Sequence, residues 1–115
     1  MARPSRWHHL TIRQLRARRA RLVRQLPDVQ ETLFGSVQRQ MRRCGTPGCR
    51  CTTGEPHGPY LYLEGRVEGR KRTLYVPAAA AETIERYLAV TGRIEATLAE
   101  ISAINRELLA RRALE

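Results

Sequence analysis

Apolar residues recur at helical spacing near the start of the chain. Four of them follow one another at intervals of three, seven and four residues: Ile12, Leu15, Leu22 and Leu26. This spacing places them on one face of a helix. Thr11 and Gln14 have the spacing of a capping box at its N-terminus, and Pro27 ends it, because proline cannot continue a helix.

Apolar and polar residues alternate with a period of two further along the chain. The alternation is clear in Tyr60–Glu64 and Thr73–Val76 and weaker in Gly35–Arg43. A period of two is typical of strands. The sequence therefore predicts one strand before residue 44 and two strands after residue 57.

Glu68 and Gly69 fit a two-residue turn between the last two strands, so that Val67 faces Arg70. One face of the resulting hairpin is aliphatic, with Leu63 opposite Leu74 and Leu61 opposite Val76, and we expect it to pack against a helix. The other face is aromatic and basic, with Tyr62 opposite Tyr75, Glu64 opposite Thr73 and Arg66 opposite Lys71. Four basic residues cluster at the hairpin tip: Arg66, Arg70, Lys71 and Arg72.

The segment after Pro77 is predicted to be helical. Its candidate seam alternates spacings of three and four: Ile84, Tyr87, Thr91, Ile94, Leu98, Ile101, Asn105 and Leu108. Such spacing is typical of a coiled coil, and a polar Asn in the seam sets its register. Gly92 favours a bend or a break into two helices. The seam could pair with the N-terminal helix, with a second copy of the chain, or with both.

These elements predict a single α+β domain over residues 1–115. A basic N-terminal helix occupies residues 1–32, a loop with all three cysteines of the chain and a β-hairpin occupy 33–77, and a coiled-coil-like helix or helical hairpin occupies 78–115. With the strand before the loop, the hairpin makes a three-stranded antiparallel sheet. A core of this size is marginal alone, so a metal or an oligomer interface would add needed stability.

Charge is distributed unevenly along the chain. Lys and Arg number 21 against 11 Asp and Glu, a net charge of +10. Residues 1–76 contain 16 basic and 5 acidic side chains, whereas residues 77–115 contain 5 and 6. The first helix has six arginines and no acid, so it needs a partner surface or an anion. A basic first part of the chain predicts contact with a polyanion.

All three cysteines of the chain lie in one Gly/Pro-rich segment. They are Cys44, Cys49 and Cys51, and His57 follows within fourteen residues of Cys44. Three thiols and an imidazole are the ligands of a closed structural zinc site. His8, His9, water or an acidic side chain are the alternatives to His57 as the fourth ligand.

Other roles for the cysteines fit the sequence less well. Buried thiols rarely occupy a loop of this composition, and a redox pair would favour Cys-x-x-Cys beside a helix start. An iron–sulfur cluster uses four cysteines. Catalytic zinc would need an open position and a base, and the nearby Glu55 and Glu64 lack a diagnostic spacing.

The remaining chemistry of the sequence points away from membranes and enzymes. No run of about 18 apolar residues occurs, and no signal-peptide pattern begins the chain. We therefore expect a cytoplasmic protein. No paired carboxylates, nucleophile–base arrangement or phosphate-binding loop suggests an enzyme.

Three motifs together resemble a family of small uncharacterised bacterial and archaeal proteins. They are Gly35-Ser36, the Cys-Gly-x-Pro-x-Cys-x-Cys segment that begins at Cys44, and His57-Gly58-Pro59-Tyr60. The resemblance covers about residues 33–110 and leaves the arginine-rich residues 1–32 outside. It implies that the cysteines and His57 act as one unit. It also implies an association with mobile elements, which favours DNA over RNA.

The leading prediction is a zinc-stabilised, non-catalytic nucleic-acid-binding protein with duplex DNA as its target. Its predicted basic contacts are Arg42, Arg43, Arg50, Arg66, Arg70, Lys71 and Arg72. Tyr60, Tyr62 and Tyr75 are candidates for stacking on bases, which would instead indicate binding of RNA or single strands. A further alternative is an adaptor that binds a partner helix, or a second copy, through Ile94, Leu98, Ile101 and Leu108.

Overall fold

A computed structural model describes residues 6–115 and has an α+β fold. Its elements, in chain order, are helix α1 (Ile12–Arg24), strands β1 (Ser36–Arg42), β2 (His57–Val67) and β3 (Arg70–Val76), and helix α2 (Ala81–Ala110). Single turns of 3-10 helix lie at Val29–Glu31, Arg50–Thr52 and Ala78–Ala80. The predicted fold class is confirmed, including the antiparallel sheet with a Cys/His cluster in the loop after its first strand.

The chain divides into two compact units. One consists of the residues up to Glu31 together with Val90–Glu115, and the other of Thr32–Ala89. The first unit is helical, and the second contains the sheet and the cysteine loop. The single domain expected from the sequence stays a prediction.

Helix α1 begins at the predicted capping box. The Thr11 hydroxyl accepts a hydrogen bond from the Gln14 amide at 3.1 Å, and the Gln14 side chain accepts one from the Thr11 amide at 2.8 Å. Both otherwise unpaired amides are thus satisfied. The helix ends at Arg24, with Gln25 as its C-cap, before Pro27.

The core of the helical unit joins α1 to α2. Its buried members are Trp7, Leu15, Leu22, Ile104 and Leu108. The N-terminal helix, one of the predicted partners of the C-terminal helix, therefore packs against it. Arg111 binds the turn before α1 to this core by donating hydrogen bonds to the carbonyls of His8 at 2.7 Å and Trp7 at 3.4 Å.

The burial pattern of α2 departs in part from the predicted seam. Thr91, Ile94 and Leu108 are buried as a seam requires, but so are Val90 and Ile104, which lie outside it. Seam residue Leu98 is 51% exposed. Its contact with a second copy or a partner helix stays a prediction.

The alternative of a helical hairpin is wrong. Helix α2 runs without interruption through Gly92, at which an added Cβ would meet nothing within 4 Å. An exposed glycine lowers helix propensity by about 1 kcal/mol without forcing a break. The propensity cost is therefore tolerated within a long helix.

Carboxylates of the C-terminal segment balance part of the charge on α1. Arg16 lies 3.4 Å from the Glu115 carboxylate, and Arg18 lies 3.5 Å from that of Glu100. A hydrogen bond from Arg19, followed by the charge of Arg16, lowers the pKa of Glu115 below its ordinary value. These ion pairs provide the partner surface that the charge of the helix requires. The contribution of Glu115 to stability is lost as the pH falls through this lowered pKa.

The sheet has the order β1-β2-β3, and its hairpin has the predicted register. Tyr62 lies opposite Tyr75, and Leu63 opposite Leu74. Glu68 and Gly69 have φ values of 53° and 79°, as a two-residue type I′ turn requires. The turn and the alternation therefore specify the same pairing.

The aliphatic face of the sheet is covered unevenly. Leu61 lines a cleft with Ala78 of the last 3-10 turn and with Ala81, the first residue of α2. At the hairpin end, Leu74 is 64% and Val67 is 56% exposed. The helical cover expected from the sequence is thus only partial.

Truncation of Ile104 tests the core between α1 and α2. Because this side chain is fully buried, Ile104→Ala should lower the free energy of unfolding by about 2–5 kcal/mol. On the same helix, Leu98→Ala should change it by less than about 1 kcal/mol. Urea unfolding followed by circular dichroism measures both, and equal losses would contradict the assigned core.

Candidate metal centre and adjoining cleft

Four side chains converge at the loop between β1 and β2: Cys44, Cys49, Cys51 and His57. Their ligand atoms all lie within 4.8 Å of one another. The sulfurs of Cys44 and Cys51 are 3.5 Å apart, and the Cys49 sulfur is 3.2 Å from Nε2 of His57. Ligands of a tetrahedral zinc-sized ion are separated by about 3.5–3.8 Å. These four residues could therefore bind a metal ion.

A tight turn brings Cys49 back toward Cys44. The Cys49 amide donates to the Thr46 carbonyl at 3.2 Å. Pro47 and Gly48 occupy the central positions, and Gly48 has a φ of +79°. This is a type II turn, in which proline fits the first central position and glycine the second. The Gly/Pro content of the loop thus has a direct geometric reason.

Cys51 is the buried member of the cluster and lies on the 3-10 turn Arg50–Thr52. Its sulfur accepts a hydrogen bond from the Cys44 amide at 3.4 Å. Arg43 holds the other end of the loop by donating to the Gly54 carbonyl at 2.9 Å.

His57 reaches the cluster through an irregularity in the sheet. Gln40 pairs with Tyr60, but two positions further along β1 Arg42 pairs with His57, so β2 contains one extra residue. Bulges of this kind redirect a side chain. Gly58, within the bulge, has a φ of +124°, and a Cβ there would lie 2.7 Å from the Gln40 carbonyl oxygen. Glycine is therefore required beside the histidine.

The thiols of the cluster differ in acidity. Hydrogen bonds from the Thr46 side chain and backbone, then contacts with Cys49 and His57, lower the pKa of Cys44 to about 5. The Cys51 amide lowers the pKa of Cys49, but hydrogen bonds with the Cys44 and Cys51 thiols outweigh it and raise that pKa overall. A bound cation would favour the thiolate form of all three cysteines.

A cleft of about 430 Å³ opens beside this cluster. The residues that line it are Arg42, Arg43, Cys44, His57, Tyr60, Tyr62 and Tyr75. The Arg42 guanidinium lies 5.1 Å from the centre of the Tyr62 ring. The Tyr62 and Tyr75 rings meet edge to face, with centroids 5.8 Å apart and planes at 65°. Five residues predicted to contact nucleic acid therefore share one cleft with two candidate metal ligands.

The basic residues of the hairpin tip do not form one cluster. Arg66 and Lys71 face each other on the side of the sheet that holds the tyrosines. Arg70 and Arg72 pair with Val67 and Gly65 and so point to the aliphatic side, because neighbouring residues of a strand alternate in direction. The expected single cluster is thus divided between two faces. Arg50 lies on the exposed cysteine loop.

Sequence reasoning missed how the cleft is formed. Nothing in the strand pattern indicated that Arg42 stacks on Tyr62, because the bulge changes the register just before that point. The signal was Gly58-Pro59, which directly follows a candidate ligand. Proline inside a strand is confined to edges and bulges, so this pair predicts an interrupted ladder.

The family model described as Domain of unknown function (DUF6788) matches residues 12–86. The chain belongs to this family. The DUF6788 match begins at the first residue of α1, so the expectation that the arginine-rich segment falls outside is wrong for residues 12–32, whereas residues 1–11 do lie outside. The match ends at residue 86 and not near residue 110. No curated protein and no solved structure matches the chain.

The DUF6788 domain of this chain contains the whole sheet and the candidate metal ligands, and it ends within α2. Along residues 6–115, no helix has both the length and the apolar character needed to cross a membrane.

Substitution of Gly58 tests the bulge that carries His57. Gly58→Ala should lower the free energy of unfolding by at least about 1–3 kcal/mol, because the residue adopts a left-handed φ and its Cβ would meet backbone. Gly92→Ala is the matched control and should raise that free energy by up to about 1 kcal/mol. Thermal unfolding compares them. A Gly58→Ala protein as stable as the wild type would contradict the geometry.

Proposed function

We propose that this protein is a zinc-stabilised, non-catalytic nucleic-acid-binding protein whose target is duplex DNA. The observation that carries the proposal is the cleft in which arginines and tyrosines adjoin the Cys/His cluster. The metal would hold the loop and the start of β2 together. The side chains beside it would then be fixed in place for contact with a polyanion.

The donor set supports zinc as the ion. Three thiols and one imidazole complete a tetrahedron and leave no open position, which is typical of a structural zinc site. Such a site contributes on the order of 10 kcal/mol to folding. It would add to the β1–β2 ladder and to the hydrogen bond from Arg43, which already connect the loop and the start of β2.

Charge and stacking groups support nucleic acid as the partner. Arg42 and Arg43 line the cleft, and Arg66 and Lys71 lie on the same face of the sheet nearer the hairpin tip. Arginine binds phosphates through two parallel hydrogen bonds, and tyrosine rings stack on bases. Among residues 6–115 no carboxylate lines this cleft, and its His57 and Cys44 would be occupied by the metal, which favours binding over acid–base catalysis.

A groove on α2 favours a second candidate function, that of an adaptor. The groove has a volume of about 470 Å³ and is lined by Leu98, Ile101, Ser102, Asn105, Arg106, Leu109 and Leu114. Leu98 and Leu109 are 51% and 61% exposed. A partner helix could cover these side chains. Loss of function on changing them, with the basic face intact, would favour this alternative.

Zinc binding can be tested with two histidine variants. His57→Ala removes one of the four ligands and should lower zinc affinity by at least tenfold. Loss of a group that only supports a ligand already lowers metal affinity by about 10–100-fold. His9→Ala should retain one zinc per chain. The measurement is zinc content by mass spectrometry after dialysis against a competing chelator. Equal zinc content in both variants would exclude His57 as the fourth ligand.

Nucleic-acid binding should depend steeply on salt. The logarithm of the association constant for duplex DNA should fall linearly with the logarithm of the salt concentration. Lys71→Gln should make the slope of this line shallower by about one unit. Arg93→Gln removes the same charge from an exposed position of α2 and should leave the slope unchanged. Fluorescence anisotropy measures both slopes. Absence of binding to any DNA or RNA at low salt would exclude the proposed function.

A further inference from the structure

We infer that the cleft beside the cysteine cluster receives one unpaired base of a DNA strand that is otherwise duplex, such as the base of a bulge. This inference rests on the proposed function and specifies which DNA the protein prefers. Four features support it: the size of the cleft, the angle between the Tyr62 and Tyr75 rings, the position of Arg42 and Arg43, and the cations on the same side of the sheet.

The size and lining of the cleft favour a single base over a stacked pair. Its volume of about 430 Å³ lies in the range of sites for small molecules. Inside a duplex, both faces of a base are covered by neighbours about 3.4 Å away. A ring in the cleft can therefore reach the face of a base only if that base has left the stack.

The two tyrosines form a corner that suits a planar ring. Tyr75 is 57% exposed and meets Tyr62 at an angle of 65°. A base that lies flat on one ring would contact the edge of the other. Arg42 is exposed and lies over Tyr62, so its guanidinium offers a further stacking surface. Stacking of this kind accepts any base.

Arg43 is placed to bind the phosphate of the same nucleotide. One of its terminal nitrogens donates to the Gly54 carbonyl at 2.9 Å, which fixes the guanidinium at the cleft wall. A guanidinium has five N–H donors, so others stay available for phosphate oxygens. The cleft thus combines a stacking surface with an anchored cation.

The side of the sheet that holds the tyrosines continues from the cleft through Glu64 to Arg66 near the hairpin tip. Arg66 follows Tyr62 by four residues on the same side of β2, a distance of about 13 Å. This distance corresponds to about four base-pair steps of a duplex. Lys71 lies opposite Arg66, and its side chain is 69% exposed although its Nζ is 3.9 Å from the Glu64 carboxylate. A duplex that flanks the unpaired base would pass over these two cations.

The test compares DNAs of equal length and the same flanking sequence. They are a blunt duplex, a duplex with a one-nucleotide bulge, the same bulge without its base, and a single strand. The bulged duplex should bind about tenfold more tightly than the blunt duplex, because it adds base stacking at no further unstacking cost. The abasic bulge should lose most of this gain. Fluorescence anisotropy at one fixed low salt concentration measures all four.

Variants separate the cleft from the rest of the basic surface. Tyr75→Leu should lower affinity for the bulged duplex by a clearly larger factor than affinity for the blunt duplex, so that the preference for the bulge is lost. Tyr87→Leu, a tyrosine of α2 that does not line the cleft, should retain the preference. Arg42→Gln changes an exposed residue and should weaken the preference without unfolding the protein. Circular dichroism of each variant verifies folding.

Each contrary result has a distinct meaning. Equal affinity for blunt and bulged duplexes, with the expected salt dependence, would overturn this inference and leave the proposed function standing. Tighter binding of the single strand than of the bulge would also overturn it. So would a Tyr75→Leu variant that binds every DNA more weakly by the same factor. Absence of binding to all four DNAs would overturn both the inference and the proposed function.

Discussion

Close contact between the backbones of β1 and β2 determines where every other group of the sheet unit lies. At one end of this strand pair, a Cβ on Gly35 would lie 2.5 Å from the Glu64 carbonyl oxygen. At the other end, a Cβ on Gly58 would lie 2.7 Å from the Gln40 carbonyl oxygen. No side chain fits at either point, so the register is fixed at both ends. The position of His57, and with it the shape of the cleft, follows from this register.

The metal cluster and the cleft depend on the same short segments. Cys44 and His57 belong to both, and Arg42 and Arg43 directly precede the first cysteine. Any change that moves the cysteine loop therefore also moves two arginines and one wall of the cleft. Removal of a bound metal would therefore also change the cleft that the proposed nucleic acid enters.

The features that depend on local pattern could be predicted, and those that depend on tertiary contact could not. Alternation and a two-residue turn specify the hairpin register, and Thr11 with Gln14 specifies the start of α1, because each involves residues close in sequence. The cysteine spacing likewise indicated the cluster. Trp7 gave no such signal, since its burial depends on contacts with α2, about 100 residues away. The Arg42–Tyr62 contact depends on the bulge, which shifts the alternation.

The closeness of the four donors in the sequence has a consequence for the order of folding. All of them lie between Cys44 and His57, and the entropy lost on closing a loop rises only with the logarithm of its length. Closing this short loop costs less chain entropy than pairing the far ends of β1 and β2, where Ser36 and Glu64 stand 28 residues apart. It costs about as much as pairing the near ends, Arg42 and His57. The cluster and the near end of the ladder are therefore expected to form before the far end, and a cation bound by the four residues would favour this order.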